Sequence, residues 1–109
     1  MANVYIVNQA GHDFSTAAKF GALIPITEGN INIARPDRDL FHITKKIEDI
    51  SEDDLILLSG NILINVMVIT ALLTIKQFKV LNLLIYDAKL KKYIKHSLSC
   101  DNELKFLRE

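Results

Sequence analysis

One cysteine, Cys100, stands among 109 residues, so no disulfide can close within the chain and no thiolate metal cluster can form in it. Charge of either sign is not in excess: 13 basic side chains balance 13 acidic ones. A chain with zero net charge lacks the general attraction to phosphate on which non-specific nucleic-acid binding relies, and this disfavours a global role on DNA. The opening MANVYIVNQAG has no positively charged region ahead of its short apolar stretch, so no secretory signal peptide is expected. There is no repeat, no low-complexity linker, and neither a GxGxxG nor a Walker A pattern. No group of His, Cys, Asp and Glu has metal-ligand spacing, so neither a metal nor a cofactor is expected. A reducing cytoplasm fits this composition.

What the chain does have is apolar mass, with 50% of its residues hydrophobic. That suffices for one core without staples, and residues 1–98 read as a single domain with 99–109 as a tail. Residues 55–75, LILLSGNILINVMVITALLTI, carry no charge over 21 positions. A membrane-spanning helix needs about 20 apolar residues, so that alternative must be met first. Three features oppose it. Ser59, Gly60 and Asn61 form a turn signal that splits the run, Asn65 would place a lone amide near the bilayer centre, and Glu52, Asp53 and Asp54 precede it without a nearby basic cluster. The run therefore reads as a buried strand over 55–59, a tight polar turn, and a helix over 62–78. Nearly all of that helix's circumference is apolar, so it has two sides to cover: one on a sheet and the other on a partner subunit.

The remaining elements follow from local chemistry. Residues 4–7 are β-branched and aromatic, which predicts a strand ending at Asn8-Gln9-Ala10-Gly11. Asp13 or Ser15 can cap a short helix through Phe20, with Gly21 as its stop. Residues 22–27 contain Pro25, which confines that strand to an edge or to pairing on one side. A weak alternation at Ile31 and Ile33 suggests another short extended piece. Pro36 and Asp37 open an amphipathic helix that reaches Ile50. An apolar strand over 80–86 turns at Asp87-Ala88-Lys89 into a last strand over 91–98. Strands alternating with helices predict an α/β fold: a small Rossmann-like three-layer sandwich with a mostly parallel sheet of four or five strands and a C-terminal antiparallel hairpin.

In an open parallel sheet, ligands bind beyond the carboxyl ends of the strands. That rule selects Asn8, Gly11, His12 and Asp13 after the first strand, Thr27 and Glu28, with Asn30, after the second, and Ser59, Gly60 and Asn61 after the central one. Glycines there let backbone amides approach a ligand, and helix N-termini attract anions, so a phosphate or carboxylate is the natural guest. Turns use the same residues for structure alone. His12 and Asp13 form the most enzyme-like pair, although adjacent residues seldom point the same way and a capping Asp13 beside an exposed turn histidine is the favoured reading. Ser59 lies at a strand-to-helix turn, yet LLSGN is not the GxSxG elbow. His42 reads as a surface or boundary residue of its helix. Lys89, Lys91, Lys92 and Lys95 gather around Tyr93. In a strand, Lys89, Lys91, Tyr93 and Lys95 would share one face, to touch nucleic acid or an acidic partner, or to protect an exposed edge.

The segments VYIVNQAGHDFSTAAKFG, DDLILLSGN and KVLNLLIYD together resemble short uncharacterised proteins carried by phages and mobile elements of Gram-positive bacteria. The resemblance implies a small accessory protein in a bacterial cytoplasm and brings no activity or site residues with it. Two functions remain open. One is an interaction or assembly module, a homo-oligomer or partner binder, working through the apolar helix 62–78. The other is a binding module for a nucleotide or another phosphorylated small ligand at the loops named above. No catalytic constellation is specific to one reaction, so enzyme function is the weakest of the three readings.

Overall fold

A computed structural model of the chain describes residues 2–29, 36–100 and 103–107. Among the described residues six strands form one sheet: β1 (Val4–Gln9), β2 (Leu23–Glu28), β3 (Leu55–Leu57), β4 (Val80–Asp87), β5 (Lys92–Cys100) and β6 (Leu104–Phe106), in the order β2-β1-β3-β4-β5-β6. Strands β2, β1, β3 and β4 are parallel, and β4, β5 and β6 are antiparallel. Helix α1 (Pro36–Lys46) continues into a 3-10 turn at Ile47–Asp49 and leads to β3, while α2 (Ile62–Thr74) joins β3 to β4. A 3-10 helix at Ser15–Phe20 joins β1 to β2.

The expected mostly parallel, Rossmann-like sandwich is overturned by this mixed sheet. Its longest ladder is the antiparallel β4–β5 pair, in register from Val80↔Ser99 to Asp87↔Lys92. A connection this short can join only antiparallel neighbours. The expected tail then contributes a sixth strand, with Leu98↔Phe106 and Cys100↔Leu104 in register. Strand β5 is therefore interior, and its lysines do not protect an edge. Strand β2, which holds Pro25, lies at an edge of the sheet among the described residues. The weak extended piece at Ile31 and Ile33, and Asn30 beside it, lie outside the described residues.

The connections explain why the two faces differ. The chain leaves β1 for β2 on one side and returns past β1 to β3 on the other, so right-handed crossovers fall on opposite faces. On one face α1 and α2 cover Tyr5, Val7, Ile26, Ile56, Leu81 and Leu83. On the other, among the described residues, Phe14 and Ala17 and Phe20 of the 3-10 helix cover Val4, Ile6, Leu55, Leu57, Leu84 and Tyr93. One face is thus well covered, and the other is left open over β4 and β5.

Local chemistry sets the helix limits. Asn61 caps α2, its Oδ1 accepting from the Ile64 amide at 2.9 Å. The helix ends at Thr74, short of the expected 78, and Gln77 adopts a left-handed φ of 57° before Phe78. Ile64, Val68, Ala71 and Leu72 form its buried stripe; full burial of each larger side chain contributes about 1.5–3 kcal/mol. The 21-residue charge-free run is thus split between a strand, a turn and a helix. Among the described residues no helix is long and apolar enough to cross a membrane.

Candidate functional site

The crevice between the carboxyl ends of β1 and β3, where the direction of the crossovers reverses, is the place the topology rule selects for a ligand. Here it is stitched shut. The Ser59 hydroxyl donates to the Asn8 carbonyl at 2.9 Å, and its Oγ accepts from the Asn8 amide at 3.1 Å. Thr27 donates from Oγ1 towards the Val7 carbonyl at 2.7 Å and Asn8 Oδ1 at 3.0 Å. Asn65 accepts from the Ser59 amide at 3.0 Å and donates back to the carbonyls of Ser59 and Asn61 at 2.9 and 2.8 Å. Asn8, Thr27 and Ser59 thus hold the ends of the sheet together, Asn61 caps α2, and Asn65 anchors the first turn of α2 to Ser59. Gly60, at a φ of +82°, fits only because it has no side chain: a Cβ there would lie 2.8 Å from the Asn8 Cβ.

Open space lies instead on the thinly covered face. A cleft of about 520 Å³ runs between the 12–16 segment, the end of β3 and the β4–β5 hairpin. Leu57, Leu58 and Phe14 supply its apolar surface, His12, Asp13, Thr16, Ser59 and Gly60 its polar side, and Tyr86, Tyr93 and Lys91 the hairpin wall. The structure therefore unites His12, Asp13, Ser59 and Gly60 with one lysine of the basic hairpin. It separates from them Gly11 and Glu28, which are exposed, and Asn8, Thr27 and Asn61, which serve the framework.

The hairpin lysines disperse. Asp87 Oδ1 accepts from the amides of Lys89 and Leu90, at 2.9 and 3.1 Å, and shapes the turn. Lys91 follows with a left-handed φ of 53°, so the expected strand face including Lys89 and Lys91 does not exist. Lys92 pairs with Asp87 on the opposite pleat from Tyr93, while Lys95 shares the Tyr93 face.

Asp13 and His12 do not act as a pair. The Asp13 carboxylate accepts from the Ser15 amide at 2.9 Å, and that bond, with a second from the Ser15 side chain, holds its pKa below the ordinary aspartate value. The His12 ring meets the edge of Phe14 at 6.1 Å. Tyr93 and Tyr86 pack edge to face at 5.2 Å. Burial, then the neighbouring Tyr86 and Asp13, raise the Tyr93 pKa above that of a free phenol. His42, on α1, is exposed, with Nε2 3.1 Å from the Ile26 carbonyl oxygen. The cleft offers aromatic surface, one ammonium, an imidazole and hydroxyls, while the Ser59 hydroxyl is already engaged by backbone. Among the described residues no cluster of His, Cys, Asp and Glu could hold a metal ion. Phe14, Thr16, Leu57, Leu58 and Tyr86 complete the cleft without having stood out in the sequence, and Tyr93 joins it from the basic hairpin.

Residues 2–100 match the model of the family described as phage Pam3 gp32-like protein. The chain belongs to this family. The match spans β1 to β5 and stops before β6, so the stitched strand ends, α2 and the cleft all fall within the family region. A phage-related protein is thereby shown, and the Gram-positive setting is not. Comparisons with curated proteins and with solved structures return no match.

Proposed function

We propose that this phage-family chain is a small cytoplasmic accessory protein that works as an assembly module, pairing with a second copy through the outer face of α2. The observation that carries this reading is the exposure of a helix without a single charge: Ile62 is 82% exposed, Val66 54% and Leu63 38%. Beside them lies a shallow groove of about 260 Å³ lined by Leu58, Asn65, Val66, Ile69 and Thr70. Projecting apolar side chains and an apolar groove therefore occupy the same helix. A two-fold contact sets one patch against its own copy, and a patch without charge meets no like-charge repulsion in doing so. The largest apolar side chains left in water on this helix would be covered by that contact.

Sedimentation velocity over a concentration series tests the reading, with Val66→Glu as the variant. The expected result is a dimer for the parent chain and a monomer of unchanged melting temperature for the variant, since Val66 makes only part of its contacts within the fold. A parent chain that stays monomeric throughout, or a variant that dimerises equally well, overturns it.

A further inference from the structure

The cleft over the hairpin is on the opposite face of the sheet from the surface assigned to pairing, and it has the composition of a ligand site. Its volume of about 520 Å³ falls within the range of about 300–1,000 Å³ usual for small-molecule pockets. Tyr93, only 8% exposed, lines the cleft, and a phenol hydroxyl can both donate and accept a hydrogen bond. Tyr86, beside it and half exposed, presents an aromatic surface at the cleft wall. Lys91, fixed by its left-handed backbone at the turn, has no ion-pair partner among the described residues.

We propose that this cleft binds a flat, anionic small molecule of nucleotide size, a nucleoside monophosphate being the class that fits its chemistry. The ring lies against Tyr86 and the apolar side chains of Leu57 and Leu58. The Tyr93 hydroxyl meets the polar edge of the ring, and the phosphate is taken by Lys91. Asp13, whose carboxylate is held by Ser15, sets a negative charge on the 12–16 side. The phosphate is thereby directed to the hairpin side. Aromatic stacking of a base is worth about 1–3 kcal/mol and tolerates every base, because each has a π-face. Selectivity among bases is consequently modest.

The test is a titration of isotopically labelled protein with adenosine 5′-monophosphate, followed by amide shifts, with adenosine and inorganic phosphate as separate probes. Shifts clustered at His12, Gly60, Tyr86 and Lys91 are expected. Lys91→Ala should weaken the monophosphate about five- to tenfold while leaving adenosine unchanged, and Tyr86→Ala should weaken both. Lys91 is exposed, so Lys91→Ala should melt with the parent, while Tyr86→Ala gives up its edge-to-face contact with Tyr93 and should melt slightly lower while remaining folded at the titration temperature. Shifts scattered over surface lysines, or equal binding by the parent and both variants, overturn the proposal. The Val66→Glu variant should show amide shifts at the same cleft residues, so failure of the assembly reading leaves this result distinguishable.

Discussion

Replacing Gly60 with alanine isolates the close approach on which the stitched strand ends depend. Two costs combine at this position. An L-residue held at a φ of +82° costs about 1–2 kcal/mol. The added methyl would also lie 2.8 Å from the Asn8 Cβ and 3.0 Å from its Nδ2. Asn8 has little room to retreat, being 6% exposed and hydrogen-bonded through Oδ1 to Thr27, and overpacking at such a site costs about 1–3 kcal/mol. A total of about 3 kcal/mol follows, a large share of the about 5–15 kcal/mol typical of a folded domain. Gly11 is the control, because at a φ of +70° it shares the dihedral penalty, while a Cβ there meets nothing within 4 Å. Any gain from restricting the unfolded chain is common to both substitutions and cancels in their difference. Urea unfolding of Gly60→Ala and Gly11→Ala should therefore differ by about 2 kcal/mol, or on the order of 10 °C in melting temperature for a domain near this size. Equal losses in the two variants would refute the argument that contact with Asn8, rather than backbone conformation alone, demands glycine.

Asn65→Leu should cost about 2–3 kcal/mol, because it takes from the Ser59 amide and the Ser59 carbonyl the side chain that bonds both; Asn61→Ala should cost about 1 kcal/mol, the usual loss for a helix cap. Chemical denaturation distinguishes the two, and a smaller loss for Asn65→Leu would contradict the assigned anchor. Stability should also fall at alkaline pH. Burial raises the pKa values of Tyr5 and Tyr93 in the folded chain, so the folded state holds those protons more tightly than the unfolded state. The associated stability is complete below the unfolded phenol pKa of about 10 and is lost as pH rises through the folded value. Melting temperatures from pH 8 to pH 12 should decline less steeply for Tyr93→Phe than for the parent, and an identical slope would count against the role of burial.

The features legible in the sequence were those set by near neighbours. Ser59-Gly60-Asn61 divides the charge-free run because capping and left-handed backbone are local requirements, and Pro25 marks an edge because it lacks an amide proton. The hairpin at Asp87 was legible for the same reason. Long-range pairing was not: Leu104-Lys105-Phe106 is too short for an alternating pattern to show, so β5 was expected at the edge it does not occupy. The fold class failed with it, since a sheet's character depends on how many strands follow the last parallel one. At the strand ends, polar residues read as available to a ligand are instead consumed by bonds between positions far apart, such as Asn8 and Ser59. The cleft stayed hidden because Tyr86, Tyr93 and Lys91 meet His12 and Gly60 only through the folded sheet. Part of the candidate site, His12, Asp13, Ser59 and Gly60, was nonetheless legible from topology and turn residues.

The short segment 58–61 belongs to both sides of the molecule. Leu58, Ser59 and Gly60 line the cleft, Leu58 also lines the groove beside α2, and Asn65 fastens Ser59 to that helix's first turn, which Asn61 caps. A guest that moves Ser59 must therefore move the start of α2 or break its anchor. Whatever free energy links the two surfaces acts equally in both directions: a filled cleft would alter how readily two copies pair, and pairing would alter how tightly the cleft holds its guest.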